Sequence, residues 1–178
     1  MLTEHGPNYM KKAALCLFML LLLLTACNSK QEPMPKNGIN YLEAPVGTIS
    51  NGSFIISNLQ NIKKEWEARL STSEKQVTLK DFKIVSGTTA GDEHQQYYML
   101  LANSKDGKVS TASILTLNGG RFYFEKQSGS GEDAIYLNII CEGICTDGCI
   151  PVVSILSGSK YLNCSPCGNC TKKDMEMQ

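Results

Sequence analysis

The chain is poor in the residues that most often carry chemistry. Its 178 residues hold two histidines and one tryptophan, and Lys plus Arg balance Asp plus Glu at 17 each. That balance leaves no basic field to hold a phosphate backbone, so nucleic acid is not an expected partner. No His-Glu-x2-His, no Gly-x-Ser-x-Gly and no phosphate-cradling glycine-rich loop before a helix occurs. Without Cys-x2-Cys-His, covalent c-type haem is not indicated. Cysteine is missing from residues 28 to 140, so nothing in that stretch can be stapled or ligated through sulfur.

What is present begins with an apolar run. Lys11 and Lys12 precede Ala13 to Leu24, twelve apolar residues, and Leu24-Thr25-Ala26-Cys27 closes the run. A helix that long spans roughly 18 Å, too short for a hydrocarbon core of ~30 Å, so a retained transmembrane anchor is not expected. A charged start, an apolar middle and a small pair are the three parts of an export signal. Residues 10–27 closely resemble a bacterial lipoprotein signal peptide with its lipobox. The resemblance implies cleavage before Cys27, a diacylglycerol thioether on its sulfur and an acyl chain such as palmitate on its amine. Several acyl chains hold a protein stably on a membrane. Asn28, rather than Asp, follows the cysteine, which by the same resemblance implies sorting to the outer membrane. Met10 begins a more regular signal than Met1, and residues 1–9 carry no targeting pattern.

The chain divides into a signal peptide (1–26), a lipidated tether (27–47), an α+β domain (48–140) and a cysteine-rich module with a short tail (141–178). Removing residues 1–26 takes Lys11, Lys12 and Glu4, leaving one acidic residue in excess. The tether is polar and carries Pro33, Pro35 and Pro45. Fully extended at ~3.1 Å per residue, it holds the domain up to roughly 60 Å from the bilayer. Ile39, Tyr41, Leu42 and Val46 are apolar enough to dock its second half.

Leu59, Ile62, Trp66 and Leu70 recur at three- and four-residue steps, which predicts a helix over Asn58–Leu70 with one apolar stripe. Ser57 or Asn58 is placed to cap it by accepting a backbone N–H bond. Trp66 reads as a core anchor. After Ser73 the period changes to two. Strands are expected over 77–85 (bulged near Asp81), 97–102, 109–117, 121–126 and 134–141, with turns at Asp106-Gly107 and Asn118-Gly119-Gly120. The expected fold class is α+β: one helix packed on one face of an antiparallel β-meander, followed by the small cysteine-rich module. That order is similar to a cystatin-like arrangement, with Ile84-Val85-Ser86-Gly87 near the place of a Gln-Val-Val-Ala-Gly hairpin. The glutamine of that hairpin is absent here.

Eight cysteines occur, and beyond Cys16 and Cys27 the other six form two triplets: Cys141, Cys145, Cys149 and then Cys164, Cys167, Cys170. Gly143, Gly148, Gly158, Gly168, Pro151 and Pro166 predict loops and short strands around them. An even count in an exported chain fits three disulfides, in any of fifteen connectivities. Thiolate binding of zinc or copper is the second reading, since Cys-x2-Cys is a common half-site and copper(I) prefers sulfur. Redox chemistry is the third. Cys164-Ser165-Pro166-Cys167 resembles the thioredoxin-type Cys-x-Pro-Cys, but no long apolar helix follows to lower the pKa of its first cysteine.

His94 sits beside Gly91, Asp92 and Glu93 in a predicted loop. Adjacent side chains on extended backbone point apart, so the group reads as a solvated turn rather than a metal or general-base site. No catalytic constellation is expected. The partners are a membrane, through the lipid, and an unidentified protein.

Overall fold

The computed structural model describes residues 40–89, 94–128 and 134–177. Cys27, the export signal and the first part of the tether lie outside the described residues, as do Ile39, Gly91, Asp92 and Glu93. The element order is β1 (Gly47–Ser50), β2 (Ser53–Ile56), α1 (Leu59–Leu70), β3 (Leu79–Thr88), β4 (Gln96–Ser104), β5 (Val109–Asn118), β6 (Arg121–Phe124), β7 (Lys126–Ser128), β8 (Ala134–Gly143), β9 (Pro151–Leu156), β10 (Ser159–Cys164) and β11 (Cys170–Met177). The fold is mostly antiparallel β-sheet with one helix, and its cysteine-rich C-terminal region carries three disulfides. Among the described residues no helix is long and apolar enough to cross a membrane.

β5 is the hub. One edge pairs with β4, from Tyr98↔Leu115 to Asn103↔Ser110, and β4 pairs with β3. The other edge is divided. Residues 109–112 of β5 pair with β8, while residues 115–118 pair with β6. The division falls at Glu125, between β6 and β7, whose N–H donates to the Ile114 carbonyl at 2.9 Å. Past that residue β7 leaves β5 and pairs with β8. β6 passes on to β1 and β1 to β2, while β8 passes on to β11. A simple meander places 134–141 beside 121–126 alone. Here β8 also takes half of β5's edge, and the β1–β2 hairpin precedes the helix.

That hairpin turns on Asn51 and Gly52, both with positive φ (49° and 75°). Positive φ at both central residues is the type I′ geometry whose twist matches the flanking strands, and Asn-Gly adopts it most cheaply. The bulge expected near Asp81 is present: the β3–β4 register shifts between Lys80 and Lys83, and Asp81 has φ 55°. The β4–β5 turn is tied by Ser104. Its Oγ donates to Asp106 Oδ1 at 2.6 Å and accepts from the Val109 N–H at 2.9 Å. Asp106 Oδ1 also accepts from the Lys108 N–H at 3.2 Å.

The Ser104 hydroxyl, then the Lys108 amide, hold the Asp106 carboxyl below the ordinary carboxylate range. A lowered folded pKa means its contribution to stability is present above the unfolded value near ~3.9 and is lost as pH falls through the lower folded value. The carboxyl of Asp106 is therefore expected to titrate below the ordinary aspartate value in a carbon-detected NMR titration. Ser104→Ala should move it back upward.

Both faces of the sheet are covered, and this explains its composition. In β4, Leu100 and Ala102 face the helix side, while Met99 and Leu101 face away. Every residue of β5 from Val109 to Leu115 is buried. A strand covered on both faces has no reason to alternate apolar with polar, which is why Tyr97–Ala102 reads as a continuous apolar run. On one side Ile62 and Trp66 of α1 pack on Leu79, Ile84, Phe122 and Phe124, and Leu42 and Val46 join them. On the other side Val153 and Leu162 of the β9–β10 hairpin pack on Met99, Ala112, Ile114 and Ile139. The expected single cover, the helix, is thus half of the account. The cysteine-rich region is the second cover.

α1 presents the stripe read from the sequence, with Ile62 and Trp66 buried. The expected side-chain cap is not made. Asn58 stands at the N-cap with φ 56°, and its carbonyl, not its side chain, accepts from the Asn61 and Ile62 N–H groups at 3.1 and 3.2 Å. Glu67 Oε1 accepts from the Leu79 N–H at 2.7 Å, fixing the helix to the start of β3. Ile84 to Gly87 lie inside the paired β3–β4 ladder, where Gly87 faces Tyr97. They form no hairpin tip of the cystatin kind.

Candidate functional site: the C-terminal disulfide array

Each cysteine is positioned by a strand end or a short connection. Cys141 lies in β8 and is fully buried beneath the β9–β10 hairpin. Cys164 ends β10, opposite Pro151. Cys170 opens β11, opposite Gly143. Cys145 and Cys149 lie on the 144–150 connection, and Cys167 on the 165–169 connection. The bridges run Cys141–Cys164, Cys145–Cys167 and Cys149–Cys170, with Cα separations of 5.6, 6.4 and 5.4 Å. All fall in the range a disulfide spans without moving backbone. The first triplet pairs with the second in sequence order. Cys164 and Cys167 are not bonded to each other, so the Cys-Ser-Pro-Cys segment forms no thioredoxin-type bridge.

Backbone bonds hold the two connections side by side. The Ser165 N–H donates to the Ile150 carbonyl at 2.8 Å, and Ser165 Oγ donates to the Gly148 carbonyl at 3.0 Å. Gly148 N–H donates back to the Cys145 carbonyl at 3.1 Å, and Cys170 N–H to the Cys167 carbonyl at 3.1 Å. A cleft of about 530 Å³ opens between these connections, lined by Ile144, Cys145, Asp147, Pro166, Cys167 and Asn169 among others. Ile144 is 72% exposed at its rim.

Gly143 is closely approached by the backbone at the start of β11. A Cβ there meets the carbonyl oxygen of Asn169 and stands 3.0 Å from the Cys170 Cα, both backbone atoms that cannot swing aside. Gly143→Ala is expected to cost about 2–3 kcal/mol, at the upper end of overpacking penalties. Urea unfolding of the variant checks this, and a cost below about 0.5 kcal/mol would show that β11 is free to move away.

A second cleft, about 240 Å³, lies between β7 and the β9–β10 hairpin. Lys160 Nζ donates to Glu125 Oε2 at 2.9 Å across it. Gln127 is 8% exposed, and its Nε2 has no hydrogen-bond partner among the described residues. Sequence reasoning missed this group, because Glu125 and Lys160 are 35 residues apart and share no spacing rule. Near the helix, burial pushes the Tyr41 phenol above its usual range, against the lowering effect of Arg69.

The other residues singled out from sequence stay apart from these clefts. Trp66 is fully buried in the helix-side core, as a core anchor should be. His94 is exposed, with φ 39°. The sulfur atoms of Cys145, Cys149 and Cys170 lie within 4.8 Å of one another, and each is already in a disulfide. No protein-family model, curated protein or solved structure matches this chain.

Proposed function

We propose that this is an exported lipoprotein, cleaved before Cys27 and held by acyl chains on that residue: a non-catalytic binding or structural protein of the outer membrane. The observation that carries the reading is the pairing of all six cysteines from 141 to 170. Disulfides persist in oxidising compartments and not in a reducing cytosol, which agrees with the export signal at residues 10–27. The two covered sheet faces and the lack of converging catalytic side chains among the described residues favour binding or structure over catalysis.

The test is Cys27→Ser. The unaltered chain is expected in the membrane fraction and to take up an alkyne-labelled palmitate. The variant is expected without label and outside the membrane fraction. A variant that stays membrane-bound would overturn the anchor.

A second reading keeps the same anchor and gives the array zinc or copper, held by Cys141, Cys145, Cys149, Cys164, Cys167 and Cys170 as thiolates. The clustering of the Cys145, Cys149 and Cys170 sulfurs favours it. It requires the bridges to be reduced first, since a metal binds the thiolate. Metal retained by protein purified without reductant would support this reading over the first.

A further inference from the structure

We infer that the Cys145–Cys167 bridge is a thiol-exchange site, and that Cys145 passes the exchange on to the neighbouring Cys149–Cys170 bridge. The three sulfurs of Cys145, Cys149 and Cys170 lie within 4.8 Å of one another. Cys149 and Cys170 are bonded to each other, while Cys145 is bonded to Cys167. Two disulfides therefore stand side by side, and one sulfur of the first adjoins both sulfurs of the second. A freed thiolate at Cys145 needs to move only a short way to attack.

Access grades in the same order. Cys145 and Cys167 are half-buried, sit on connections rather than in strands, and line the open cleft of about 530 Å³. Cys164 and Cys170 are half-buried too, but neither lines that cleft, and each is bonded to a buried partner, Cys141 within β8 and Cys149 at 5% exposure. An incoming thiol thus meets the Cys145–Cys167 bridge before either of the others. Exchange proceeds by thiolate attack on a disulfide sulfur, and depends on which sulfur is reached and what leaves.

The steps balance as follows. A low-molecular-weight thiolate attacks Cys167 Sγ. A new bond joins it to Cys167, the Cys145–Cys167 bond breaks, and the electron pair leaves on Cys145 Sγ. That thiolate attacks the sulfur of Cys149 or Cys170. A bond from Cys145 forms, the Cys149–Cys170 bond breaks, and the other sulfur leaves as thiolate. A second thiolate resolves the mixed disulfide at Cys167, releasing the oxidised dimer of the small thiol and a Cys167 thiolate. Two electrons have then passed from the small thiols to the protein. Attack at Cys145 Sγ instead frees Cys167, which is not in the sulfur cluster, so only attack at Cys167 starts the relay. The inference rests on the disulfide pairing and not on the lipid anchor.

Two experiments on the full chain test it. In Cys167→Ser, Cys145 has lost its bonded partner. Native alkylation and peptide mapping are expected to find the free thiol shared among Cys145, Cys149 and Cys170, each holding at least about a tenth of the label, with Cys141–Cys164 intact. Label confined to Cys145 would overturn the relay. The unaltered chain gives a second reading that needs no variant to fold. With millimolar reduced glutathione, Cys167 is expected to carry glutathione at least about tenfold faster than Cys141 or Cys164 reacts. Peptides joining Cys145 to Cys149 or Cys170 should follow. First reaction at Cys141 or Cys164, or loss of all three bridges at one rate, would overturn the inference.

Discussion

Complete reduction of the three bridges is expected to lower the free energy of unfolding by roughly 8 kcal/mol, a large part of the ~5–15 kcal/mol that holds an ordinary domain folded. The estimate follows from the order of pairing. One bridge such as Cys141–Cys164, whose ends are 23 positions apart in the sequence, removes about 3.4 kcal/mol of loop entropy from the unfolded chain. The next two do not each add that much. Their ends lie three or four residues from ends already joined, so each closes a shorter effective loop and adds about 2.4 kcal/mol. The consequence is also structural. The β9–β10 hairpin covers Met99, Ala112, Ile114 and Ile139 with two deeply buried aliphatic side chains, Val153 and Leu162, and Cys141–Cys164 ties it down. Urea unfolding with and without dithiothreitol measures the effect. A loss under about 2 kcal/mol would show that the hairpin holds its place by packing alone.

Trp66→Ala is expected to cost about 3–5 kcal/mol, the range for removing a large aromatic from a core. The side chain is fully buried, with ring centroids 5.8 Å from Phe82 and 6.4 Å from Phe124. With Ile62, it links α1 to strands β3 and β6. Trp66→Phe should cost under about 2 kcal/mol, because Trp66 Nε1 has no hydrogen-bond partner among the described residues and its removal relieves a desolvation penalty of about 1–3 kcal/mol. The two variants separate packing from polarity. Equal losses would mean that the indole nitrogen, rather than ring volume, fixes the site. Circular dichroism is the readout, since each variant lacks the chain's single tryptophan.

Much of the local structure is legible in the sequence because it is written in local chemistry. The Asp106-Gly107 and Asn118-Gly119-Gly120 turns, the α1 stripe and the Asp81 bulge all arise from backbone preference and periodicity within a few residues. Asn51-Gly52 carries an equally strong turn signal, yet its strands are four residues each and have mixed burial, so periodicity gives them no support. β11 is harder still. Cys170–Met177 contains Lys172, Lys173, Asp174 and Glu176, mostly exposed, and reads as a polar tail. It becomes a strand because β8 offers an edge and Cys170 is bonded beside it. The division of β5's edge between β6 and β8 depends on contacts made across the sheet and leaves no trace in any single segment.

The cysteine array shows the same limit. Its count and clustering point to bridges, but fifteen connectivities fit six cysteines. The observed pairing follows from strand geometry: β8 and β11 run antiparallel, with Gly143 opposite Cys170, and the two connections that leave them lie side by side. No spacing rule supplies that.

The most direct test of the account is the intact mass of the protein extracted from membranes without reductant. The account predicts a chain beginning at acylated Cys27 and lighter by six hydrogens than its fully reduced form, two for each bridge. A mass that retains residues 10–26, or one matching six free thiols, would contradict it.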